Sequence, residues 1–238
     1  MFKNFLATAT VAGIAVGFVL TALQLAITSP IIIQAEIHES GGSAAARSGS
    51  YAAIYGAPGE SLSDIISRHA LTGLSTVLAA IGFALVLIAA MVLNGRPIDG
   101  RSGLLWGLGG FAAVTLAPSL GLAPGLPGSA SAVLGAVQIW WLGTAAATAA
   151  GLWLLFFKPR PAFKSAGLAL IAAPHLIGAP MPDQFTSTAP AELAGAFASA
   201  SIVLGAVFWA LLGWATGTLW PRFADEVADE TTHGASTA

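Results

Sequence analysis

The chain reads as an all-α polytopic transmembrane helix bundle. Of its 238 residues, 56% are hydrophobic and only 8% charged, whereas soluble domains average about 25% charged. The apolar residues come in long unbroken runs, not in the 3.6-residue or alternating periods of half-buried helices and strands. Six of those runs contain no Asp, Glu, Lys or Arg. A surface so poor in charge suits lipid, so membrane lipid is the first partner the sequence implies.

The six runs, and the expected spans, are Phe5–Ile27, Ala70–Leu93, Gly103–Leu122, Leu134–Phe157, Ser165–Ala179 and Leu193–Trp220. A crossing helix needs about 20 apolar residues and tolerates roughly 17. The fifth run falls short of that and carries Pro174. Six spans are expected if it crosses, five if it re-enters. The first run exceeds the apolar core of about 7–15 residues found in secretory signals, so it reads as a span and not as a cleaved leader. Within it, Gly13 and Gly17 stand four apart and permit close helix contact.

The outer loop, 28–69, holds a Gly/Ser-rich stretch, Gly41–Ser50, expected to be a flexible linker. Before it, Ser29-Pro30 is expected to open a helix, with proline in the first turn. After it, Ser61-x-x-Asp64 forms a capping pattern ahead of span two. The short loops Asn94–Ser102 and Lys158–Lys164 make antiparallel hairpins of spans two–three and four–five. A transmembrane domain of residues 1–223 is thus followed by a polar tail, 224–238. That tail carries Asp225, Glu226, Asp229, Glu230 and His233 and is expected to be disordered.

Basic residues test the orientation. With six crossings, one side holds Lys3, Arg96, Arg101, Lys158, Arg160, Lys164 and Arg222, and the other only Arg47 and Arg68. Seven against two puts both termini in the cytoplasm.

Several chemistries are excluded. The chain has no cysteine, which rules out disulfides, thiolate metal sites and a cysteine nucleophile. Its net charge of −2, without a Lys/Arg cluster, argues against nucleic acid as a partner. Walker A, nucleophile-elbow and HExxH patterns are missing. Any solute it moves goes down a gradient, by ion coupling, or with a separate energising partner.

His175 is the one ionisable residue inside an apolar run, and burying such a group is costly enough that function is its default explanation. The alternative is a structural histidine bonded to the Leu170 carbonyl, left free because Pro174 has no N–H. Other candidate ligands fall towards one side. Glu36, His38 and Glu39 follow span one, His69 opens span two, and Asp183 and Glu192 flank the loop before span six. Glu36 and Glu39 share a face if the helix continues. Imidazole with carboxylate suits Co²⁺, Ni²⁺ or Zn²⁺, and missing thiolates disfavour Cu(I). The expected metal ligands are therefore His175, Glu36, His69, His38, Glu39 and Glu192, around an outer vestibule with His175 at its floor. The ion is cargo, and no permanently bound cofactor is expected.

Two segments echo each other: Ala117-Pro118-Ser119-Leu120-Gly121-Leu122-Ala123-Pro124 and Ala173-Pro174-His175-Leu176-Ile177-Gly178-Ala179-Pro180. Gly95-Arg96-Pro97 and Pro159-Arg160-Pro161 precede them at matching places. Either these are repeated hairpins of the kind transporters use around a substrate path, or Ala, Gly and Pro recur by chance. Trp140-Trp141 and Trp209 suit interfacial anchoring, with Trp141 and Trp209 alternatively packing between helices.

With Gln34-Ala35-Glu36-Ile37-His38-Glu39, Gly103-Leu104-Leu105-Trp106-Gly107-Leu108, Gln138-Ile139-Trp140-Trp141 and the two proline segments, the chain resembles the CbtA family of predicted cobalt transporter membrane subunits. The resemblance covers nearly the whole chain. It implies cobalt uptake across a bacterial inner (plasma) membrane for cobalamin biosynthesis, beside a small single-span, histidine-bearing partner, CbtB. Homo-oligomerisation is left open. Two rivals come from other classes: a non-transporting membrane scaffold for a metal-handling partner, and an intramembrane enzyme using His175 as acid or base. The enzyme is disfavoured because no charged group lies at the depth of His175.

Overall fold

In the computed structural model, residues 2–39 and 61–236 are described, with side chains as far as residue 223. The expected linker Gly41–Ser50 and the side chains of the acidic tail lie outside the described residues. Six helices follow in order: α1 (Phe2–Glu39), α2 (Leu62–Leu93), α3 (from Gly100), α4 (Leu134–Phe157), α5 (Pro161–Ile177) and α6 (Ala191–Ser236). No strand occurs among the described residues, only an isolated antiparallel bridge between Ser129 and Ser187.

Among the described residues, four helices are long and apolar enough to cross a membrane: α1, α2, α4 and α6 over Ala191–Phe223. α5 is apolar but has only 17 residues, as its short run foretold. α3 departs from a simple third span. It is α-helical over Gly100–Gly110, π-helical over Phe111–Leu116, and α-helical again for Ala117–Ser119. Pro118 accounts for the widening, because its ring obstructs the carbonyl four residues back and it offers no N–H. A shift to i→i+5 bonding relieves that clash.

α1 also differs from expectation. It does not end at Ile27 with a new helix opening at Ser29-Pro30; Pro30 lies inside one continuous helix that reaches Glu39. The proline costs a single ladder bond, which membrane helices tolerate when neighbouring groups compensate. The apolar run beyond it gives the helix a reason to continue. Ala35 is fully buried against Leu126 and Ala189, with Ile31 and Ile32 packed beside it. At the start of α2 the expected cap is present. The Ser61 hydroxyl donates to Asp64 Oδ2 at 2.6 Å, and Asp64 N–H donates back to Ser61 Oγ at 3.2 Å.

The packing falls into two units, to which α1, α2, α3 and α6 each contribute different stretches. In the first (residues 2–22, 68–108 and 206 onward), α1 and α2 run antiparallel and in close contact. A Cβ added to Gly17 would stand 2.7 Å from Val77 Cα, and one on Gly13 would stand 2.7 Å from Ile81 Cα. α3 and α6 also cross backbone to backbone, through Gly103 and Gly107 on one helix and Gly213 and Gly217 on the other. Small residues at four-residue spacing substitute here for the hydrophobic drive that lipid cannot supply. Leu87, Ile88, Met91, Trp209 and Leu212 fill the interior, while Phe18 and Val86 point outward. Asp99 caps α3. It accepts the Ser102 N–H at 2.7 Å and donates its own N–H to Ser102 Oγ at 2.9 Å. The Ser102 amide holds the Asp99 carboxyl below the usual carboxylate range, helped by the Ser102 hydroxyl and by Arg101.

In the second unit (residues 23–67 and 109–205), α4 and α5 form an antiparallel hairpin. Gly151 and Gly167 meet so closely that a Cβ on either would stand within 2.7 Å of the other's carbonyl oxygen. The loops 120–133 and 178–190 join through the Ser129–Ser187 bridge and an Ala130 N–H to Thr186 O bond of 2.9 Å.

Candidate functional site

The two echoing proline segments end α3 and α5 in the same way. Pro118 O accepts the Leu122 N–H at 2.8 Å, and Pro174 O accepts the Gly178 N–H at 3.0 Å. Each proline is buried and each closes a final turn. Gly178 can terminate α5 because it adopts φ 89°, a conformation glycine reaches without a Cβ clash. Between the two ends stands Trp140 of α4. Its Nε1 donates to Pro174 O at 3.3 Å. Its far ring edge lies against Gly121, where a Cβ would stand 2.8 Å from Cζ2 and 2.9 Å from the Ala179 Cβ.

His175 meets this indole edge-on, with ring centroids 6.1 Å apart at 75°. It is half-buried. Aromatic contact is its only partner among the described residues, so the alternative of a ring bonded to the Leu170 carbonyl is not what holds it. The ring nitrogens make no hydrogen bond among the described residues, and His175 lies in the last turn of α5.

The acidic candidates belong to the same unit. α1 ends at Glu39, so Glu36 and Glu39 are on one continuous helix, three residues apart. Glu36 is half-buried and Glu39 exposed. The Glu39 carboxyl carbon would stand 3.6 Å from a Cβ on Gly128, in the loop after α3. His38 is exposed, and its Nδ1 bonds the Gln34 carbonyl at 2.7 Å. Glu192 occupies the first turn of α6 and is exposed, as is Asp183. His69 belongs to the first unit, half-buried inside α2, with Nδ1 buried and lacking a partner among the described residues. No three His, Asp or Glu side chains are grouped closely enough to hold a metal among the described residues.

Trp140 was legible only as an interfacial anchor, yet it links both helix ends. The available signal was spacing: Trp140, Thr144 and Thr148 recur every four residues and so share one face of α4.

A family model described as "Probable cobalt transporter subunit (CbtA)" matches residues 2–221. No curated protein and no solved structure matches the chain. The family match reaches into all six helices and includes every candidate ligand. The chain is thus a membrane protein belonging to the CbtA family, a family of transporter subunits and not of enzymes.

Proposed function

We propose that this subunit admits a divalent transition-metal ion, cobalt foremost, from the outer face of the bacterial inner membrane and passes it by His175. Both termini lie in the cytoplasm on this reading, following the seven-to-two division of basic residues. The carrying observation is the donor set. The second unit holds Glu36 and Glu39 in the last turn of α1, Glu192 in the first turn of α6 and His175 in the last turn of α5, a borderline nitrogen donor without a hydrogen bond among the described residues. Carboxylate with imidazole suits a hydrated divalent transition-metal ion.

Glu36, His38, Glu39 and Glu192 serve in capture, and His69 is a further nitrogen donor along the ion's way. His175 forms the floor. Because no three of these side chains are preassembled among the described residues, the ion keeps water ligands during capture, as a passing cargo must. A small single-span CbtB-type subunit is the partner, and cobalamin biosynthesis the consumer. The lack of a preassembled cluster also supports a second reading, a non-transporting scaffold for a metal-handling partner.

Cobalt uptake into proteoliposomes, with and without the partner, separates the two. Wild type is expected to transport, and His175→Ala and Glu36→Ala to transport more slowly by about tenfold or more, the scale of a disturbed metal ligand. Uptake unaffected by either change removes these residues from the site. No uptake of any metal in either assembly favours the scaffold.

A further inference from the structure

Hydroxyl groups inside these helices follow a rule. Thr21 donates to the Gly17 carbonyl at 2.7 Å, Thr72 to Arg68 at 2.9 Å, Thr144 to Trp140 at 2.8 Å and Thr216 to Leu212 at 2.8 Å. Returning the proton to the previous turn is how a hydroxyl satisfies itself where water is missing. Thr148 breaks the rule. It is 3% exposed, yet its Oγ1 has no partner among the described residues. Thr8 of the first unit also breaks it; Thr148 sits on α4, a helix packed against irregular backbone.

That backbone is the π-helical stretch of α3, against which α4 packs. The buried Ala113 carbonyl within it has lost both amides that ordinarily close a helical bond. The Ala117 N–H goes to Ala112 O, and residue 118 is proline. Irregular backbone at membrane depth is tolerated where it is enclosed by protein or lines a watered path, and π-helical stretches concentrate at functional sites.

We infer that the Thr148 hydroxyl and the Ala113 carbonyl form an inward binding step for the hydrated divalent cation after it leaves His175. The step rests on the transport reading above. Thr148 lies on the same face of α4 as Trp140, the residue touching His175, and about 12 Å further along the axis at 1.5 Å per residue. Two neutral oxygens bond the water ligands of a cation without replacing them. Such a site holds the ion weakly enough to release it, which conduction requires.

Because the chain has no cysteine, Thr148→Cys introduces a single reporter thiol. In membrane vesicles holding the full chain with its partner, a small charged methanethiosulfonate is expected to label Thr148→Cys, and cobalt to slow that labelling. Leu142→Cys, on an exposed face of the same helix, is expected to stay unlabelled in lipid. In uptake assays Thr148→Val is expected to slow cobalt about tenfold, the cost of one polar contact to a charged species, with unchanged cobalt affinity at the outer face. Thr148→Ser is expected to keep most of the rate, which separates lost chemistry from lost folding.

A transporting wild type combined with an inert Thr148→Cys, or with Thr148→Val at the wild-type rate, overturns this step alone. A wild type that moves no cobalt with its partner overturns the reading on which the step rests, and the step with it.

Discussion

Replacing Gly213 with alanine presses a methyl group into the backbone of α3. The new Cβ would stand 2.7 Å from Gly107 Cα and 2.8 Å from Gly107 N, and it would also press on the Gly103 carbonyl oxygen. Carbon contacts are comfortable from about 3.5 Å, so the two helices must part by nearly an ångström. Neither neighbour is a flexible side chain that can swing aside. Overpacking of this kind costs about 1–3 kcal/mol, and parting the helices also loosens the burial of Trp209 and Leu212, so we expect about 2 kcal/mol or more. The assay is reversible unfolding of purified protein in detergent, with Gly82→Ala as control. Nothing lies within 4 Å of a Cβ at Gly82, and alanine there is expected to be neutral or to stabilise by up to about 1 kcal/mol. A Gly213→Ala protein that unfolds with its control, within about 0.5 kcal/mol of wild type, refutes the backbone crossing.

Gly178→Ala places a Cβ at φ 89°, ψ 149°, a region open essentially to glycine. It is expected to destabilise the end of α5 by about 1–3 kcal/mol, measured by the same unfolding and by altered Trp140 emission. The Asp99 cap has a pH signature. Its carboxyl is held low in the folded chain by the Ser102 amide, so the stability it adds is full above the unfolded carboxylate value of about 3.9. It is lost as pH falls through the lower folded value. Asp99→Ala is therefore expected to be less stable than wild type near neutrality and to converge with it in acid. Parallel stability curves across that range would show that the carboxylate does not carry the cap.

The helices of strongest apolar character were legible because lipid imposes one crude requirement, an unbroken run. Helix α4 coincides with the apolar run Leu134–Phe157, and α2 ends with its run at Leu93. Ser61 and Asp64 were legible for a local reason, since a capping box needs only four residues. Where two effects competed, the sequence was silent about the winner. Ser29-Pro30 carries a start signal, but packing of Ala35 on Leu126 and Ala189 draws α1 straight through it. Pro118 implies an interruption without saying that it takes the form of π-helical bonding. The candidate ligands were sorted by sequence side alone, which grouped His69 with Glu36 and His175. The packing counts it with the first unit, whose stretch of α2 starts at Arg68. Thr148 stands among alanines in α4, with nothing in the sequence to mark it. Only the missing return bond to Thr144 distinguishes it, and that bond has no sequence signal.

The carbonyl of Pro174 receives two N–H groups, one from Gly178 and one from the Trp140 indole. A carbonyl oxygen has two lone pairs, and both are occupied. This oxygen is therefore closed to an arriving ion, although it lies one residue before the histidine. The indole thus occupies the oxygen beside the imidazole, and on the transport reading proposed above the imidazole, not this carbonyl, is the group that the end of α5 offers to a passing cation.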